Sequence, residues 1–169
     1  QSVRTHLQKA GYTVLLTRTG DHSMPLEDRA ARTRAVNADL FVSIHCNKSG
    51  GNHKANGAET YILSIPGYNS TNDAAGYKPS RTASPGNKFD AENMLLGYSL
   101  QRSLIKENPV EDRGLKRARF LVLREAHCPS ALVECGFLSN AKEAGRLSVP
   151  FYREKLALSL ARGIDNYLR

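Results

Sequence analysis

Two apolar runs decide most of what this chain can fold into. "LFVSIHCN" at 40–47 and "SALVECGF" at 130–137 are mostly apolar up to one histidine or glutamate near the end of each, His45 and Glu134. The first run is apolar on both faces, the mark of a parallel strand covered by helices on each side. Further strand patterns lie at 13–18 ("TVLLTR"), 58–64 ("AETYILS") and 119–125 ("RFLVLRE"). Helical patterns alternate with them. Residues 1–10 read as the back half of a helix stopped by Gly11, so the chain is expected to continue upstream. Pro25 suits the start of a helix over 26–37. Leu96, Leu100 and Leu104 share one face of a helix over 91–107. Ser139 or Asn140 caps a short helix, and a last helix covers 151–168 with Leu156, Leu160, Ile164 and Leu168 inward. The expected architecture is an α/β three-layer sandwich with a mostly parallel sheet, in one domain over residues 1–169.

Composition excludes several classes. No apolar run is long enough to span a bilayer, so membrane insertion is not expected. The net charge of +8 favours a polyanionic partner. The cations are spread out, however, with one small cluster, "RGLKRAR" at 113–119. A nucleic-acid binder would need a recognition motif or interleaved aromatics, and aromatics make up 7% of the chain. The three cysteines, Cys46, Cys128 and Cys135, have no zinc-site spacing. Cys46 and Cys135 are expected to alternate away from His45 and Glu134 as small buried hydrophobes. No GxSxG motif is present.

In open α/β sheets, functional groups gather at the carboxyl ends of strands. His45 and Glu134 both fall there. A lone histidine by an apolar run is commonly a hydrogen-bonded structural residue. A carboxylate directly after "SALV" is harder to dismiss, because a desolvated charge must be paired or bound to a metal. Together the two residues fit a metal ligand and a general base in one pocket.

The stretches "RTGDHSMPLEDRAARTRAVNADLFVSIHCN", "GAETYILS" and "DRGLKRARFLVLREAHCPSALVECGFLSN", with the closing helix, resemble the zinc-dependent N-acetylmuramoyl-L-alanine amidases of the cell-division and sporulation type. "SIHxN" and "VExGFxSN" are the most specific parts. The resemblance implies that His45 is a ligand of Zn2+ and that Glu134 is the catalytic carboxylate. It implies peptidoglycan as substrate, cut at the amide between N-acetylmuramic acid and L-alanine of the stem peptide. Asn47 would contact substrate or order the following loop. The protein would then be exported, periplasmic or wall-associated, a monomer, with an activator protein as a candidate partner. The alternative is a non-catalytic wall-binding module on the same fold.

The family's two other zinc ligands, a histidine in a "GHGG" turn and a later glutamate, precede the helix with which this sequence begins. They and the first strand are expected upstream of Gln1. Failing that, the chain is an inactive relative, or the ligands come from elsewhere within it. Of the remaining histidines (His6, His22, His53 and His127), His53 is the better substitute, and His127 lies at the wrong end of its strand. The Pro- and Gly-rich stretch 65–90 is expected to form an open loop rather than a helix plugging the site.

Overall fold

The computed structural model describes residues 1–71, 73–74 and 76–169. The expected loop over 65–90 includes Asn72 and Ala75, which lie outside the described residues. The chain runs α1 (Ser2–Lys9), α2 (Leu26–Ala35), β1 (Phe41–Asn47), β2 (Ala58–Leu63), a 3-10 turn (Pro85–Phe89), α3 (Asp90–Glu107), β3 (Asp112–Ala118), α4 (Leu121–Arg124), β4 (Ser130–Phe137), α5 (Ala141–Ser148) and α6 (Pro150–Leu168). Gly11 stops the first helix at φ +94°, where Tyr12 N–H donates back to the Leu7 carbonyl. Asn140 caps α5, its side chain accepting from the N–H groups of Lys142 and Glu143.

The four strands form one sheet in the order β1-β4-β2-β3. β1 pairs with β4 in parallel and β2 with β3 in parallel, while β2 and β4 run antiparallel. Alternation along the strands then divides the interior in two. On one face Ala58, Ile62, Ala131, Val133 and Cys135 pack with Leu96, Leu100 and Leu104 of α3 and Leu156, Leu160 and Ile164 of α6. On the other, Tyr61, Leu63 and Leu132 pack with Val122 and Leu123 of α4 and with Phe41 and Phe120. The sandwich is therefore three-layered and its sheet mostly parallel, as expected.

Three strand expectations change. Residues 13–18 have no ladder partner among the described residues. "RFLVLRE" does not form a strand: Leu121–Arg124 is a single helical turn that buries Val122 and Leu123. The strand of this region is "DRGLKRA", and it lies at the sheet's edge. An edge strand needs less apolar content, so its basic side chains concealed it. β1 is an edge strand as well, with Ile44 47% exposed. It is not covered on both sides along its whole length.

The long excursion after β2 is shorter than expected, because Pro85–Phe89 is already helical. It is fastened to the end of β3. Thr71 N–H donates to the Arg117 carbonyl at 2.8 Å, and Arg119 donates to the Asp73 carboxylate and the Tyr68 carbonyl. Because β2 runs antiparallel to β4, this excursion leaves the sheet at the end opposite Glu134.

Leu100 is fully buried at the contact of α3 with α6 and the sheet. Leu100→Ala is expected to lower the unfolding free energy by about 2 to 5 kcal/mol in a urea titration.

Candidate active site

The parallel register sets His45 directly opposite Glu134, and the antiparallel register sets Glu59 opposite Glu134 on the other side. Three ionisable side chains thus stand in a row across β1, β4 and β2, on the face shared by Phe41, Tyr61 and Leu132. Two β-bulges frame the row. One residue beyond Glu134 the β1–β4 register slips, with Gly136 at φ +150°. Glu143 of α5 holds that slip, its carboxylate accepting from Phe137 N–H at 2.7 Å and from Gly57 N–H at 3.0 Å.

His45 shares a hydrogen bond of 2.8 Å between its Nε2 and Oγ of the buried Ser43. Burial lowers the imidazole pKa, helped by the positive charges of Arg29 and Arg18. His45 is thereby held in the neutral form, the form that ligates metals. Burial pushes the Glu134 carboxyl up to about 7, with the negative charge of Glu59 adding to it. Glu134 Oε2 is buried and has no hydrogen-bond partner among the described residues. An acceptor left in that state is costly unless something else engages it.

Glu59 escaped sequence reasoning and is the best-connected carboxylate in the region. It is 2% exposed. Oε1 accepts from Asn47 Nδ2 at 2.9 Å and from the Tyr61 hydroxyl at 2.8 Å. Oε2 accepts from Arg113 Nε at 2.8 Å and from Lys116 Nζ. These donors hold its pKa below the usual range against the opposing effect of burial. The only sequence signal for Glu59 was a charged residue second in an otherwise apolar strand. Asn47 orders the loop that follows it, since its own Oδ1 accepts from Lys48 N–H.

The other candidates do not join the row. His53 Nδ1–H donates to the Ser139 carbonyl at 3.1 Å. His6 faces Glu154 across 2.6 Å. His127, as expected, lies at the far end of β4, where its N–H donates to Thr33 Oγ1 beside a cleft between α2 and α4. Cys46 is exposed, contrary to expectation, because it sits at the register slip of an edge strand, while Cys135 is buried. Among the described residues no three His, Cys, Asp or Glu side chains are grouped to hold a metal. His45 and the unpartnered Glu134 oxygen have the right chemistry for such an ion but form only part of a donor set.

A neutral imidazole and a carboxylate of raised pKa thus stand side by side at the carboxyl ends of β1 and β4. The chain belongs to the N-acetylmuramoyl-L-alanine amidase family, which matches residues 1–166. It is 32% identical over 167 residues to the N-acetylmuramoyl-L-alanine amidase LytC of Bacillus subtilis, covering 99% of this chain and 29% of LytC. The fold is similar to the catalytic domain of the amidase CwlV from Bacillus (Paenibacillus) polymyxa, with a TM-score of 0.79, 28% identity, and 99% and 79% of the two chains covered. It is also similar to the CwlD amidase of Clostridioides difficile, solved in complex with the GerS lipoprotein. There the TM-score is 0.78, the identity 27%, and the coverage 99% and 81%.

The raised Glu134 pKa carries a sign. A carboxyl whose folded pKa exceeds its unfolded value favours the folded state at low pH, and that contribution is lost as pH rises from about 4.5 to about 7. Glu134→Gln should therefore match the parent at pH 4. At pH 8 it should exceed the parent by about 1 kcal/mol, the shift being discounted for the carboxyl's part exposure, in urea unfolding without added metal.

Proposed function

We propose that residues 1–169 form a single peptidoglycan amidase catalytic domain, cleaving the bond between N-acetylmuramic acid and the L-alanine of the stem peptide. The observation that carries this reading is the buried, unpartnered Oε2 of Glu134 opposite a neutral His45. In this reading His45 is a zinc ligand. Ser43 Oγ, 2.8 Å from Nε2, would orient the imidazole for that role. When bound, zinc would supply Lewis-acid chemistry towards the amide carbonyl and the attacking water.

Glu134 does the proton work. Its carboxylate accepts a proton from the attacking water and returns it to the leaving amine nitrogen, the atom that must be protonated before the peptide departs. Its partial burial keeps bulk water from competing for that proton. Peptidoglycan lies outside the cytoplasmic membrane, so this reading makes the protein exported, periplasmic or wall-associated. The complex of CwlD with a lipoprotein supports an activator as a further partner.

The test is mass spectrometry of soluble muropeptides incubated with the zinc-loaded protein. Release of the stem peptide from its lactyl group is expected, with Glu134→Gln slowing it by about 100-fold or more. His45→Ala is expected to reduce the zinc bound per chain. Muropeptides bound but left intact by a protein that takes up no zinc when it is supplied in excess would instead favour the wall-binding alternative.

A further inference from the structure

The basic cluster at 113–119 is resolved by the fold into cations with different duties. Arg117 pairs with Asp90 at the start of α3, with Nη1 to Oδ1 at 2.5 Å and Nη2 to Oδ2 at 3.1 Å. Arg119 pairs with Asp73. Each of those carboxylates cancels one charge. Arg113 and Lys116 differ, because both converge on the same oxygen of Glu59. Two cations against one carboxylate leave an excess positive charge one strand away from Glu134.

Backbone geometry explains how they meet. Residues 113 and 116 have opposite parity, so an unbroken strand would send them to opposite faces. The β2–β3 register slips by one residue between Ala58 and Thr60, with Gly114 at φ +80° and open space where a Cβ would lie. The extra residue corrects the parity and brings both side chains to the face of the His45–Glu134–Glu59 row. Arg113 is further fixed with its guanidinium 5.0 Å from the centre of the Phe137 ring on β4. The Glu59 side chain is sealed at 2% exposure, whereas those of Arg113 and Lys116 are 30% and 20% exposed. The buried anion thus holds two cations whose surplus charge faces solvent beside the site.

We propose that Arg113 and Lys116 form a subsite for a free carboxylate on the peptide arm of the substrate, one residue beyond the alanine that leaves. This rests on the amidase reading and names what it recognises. The spacing agrees. Two extended residues span about 7 Å from the scissile nitrogen to the next free carboxylate. Adjacent strands lie about 4.8 Å apart, which puts cation heads over β2 and β3 between roughly 5 and 10 Å from β4. A second residue joined onward through its side chain leaves its α-carboxylate free for this contact.

The test is equilibrium binding at low salt, by calorimetry, of two N-acetylmuramoyl dipeptides. They are identical except that the α-carboxyl of the second residue is free in one and amidated in the other. The free acid is expected to bind about fivefold more tightly, the size suited to partly exposed charges. Lys116→Met should bring the ratio close to one, and Lys116→Arg should retain it. Equal binding of the two ligands by the parent, or no binding of either, overturns the subsite whatever the variants do. So does an undiminished preference in a folded Lys116→Met protein. Amide cleavage, followed separately by mass spectrometry, distinguishes the two readings. A preference without cleavage counts against the amidase assignment alone, and cleavage without a preference counts against the subsite alone.

Discussion

A carboxylate buried to 2% exposure must be neutralised, and at Glu59 that requirement links three strands. Its oxygens take donors from Asn47 on β1, Tyr61 on β2, and Arg113 and Lys116 on β3. Removing any one partner would leave the rest with an unbalanced charge in a poorly solvated place. Because Glu59 also faces Glu134 in the ladder, the same network sets the electrostatic surroundings of the carboxyl proposed to move protons. The sheet is thus organised around charge as much as around its two apolar layers.

The register between strands does the rest. β1 and β4 run in the same direction and reach the same edge, so residues 89 positions apart in sequence become direct neighbours there. Each departure from regular pairing comes with a glycine at positive φ, Gly136 beside Glu134 and Gly114 between the two cations. A side chain at either position would favour an unbulged strand and send its neighbours to the wrong face.

Long-period features were legible in the sequence. The α/β class, the three leucines of α3, the closing helix and the two ionisable strand ends all follow from apolar periodicity, which burial enforces. What escaped was decided by position within the sheet. "RFLVLRE" has the composition of a strand, yet the chain uses the basic "DRGLKRA" because an edge strand can turn its polar side chains to buried acids and to solvent. Glu59 was invisible for a related reason. Its charge in an apolar strand acquires meaning only once β3 lies alongside with two cations to meet it. The exposure of Cys46 depended likewise on β1 lying at the edge.

The antiparallel placement of β2 separates two parts of the chain that a wholly parallel sheet would have crowded onto one rim. The loop following β2 emerges on the side remote from His45 and Glu134, tied to the tail of β3. Lengthening or shortening that loop therefore leaves untouched the β1–β4 register that sets His45 opposite Glu134.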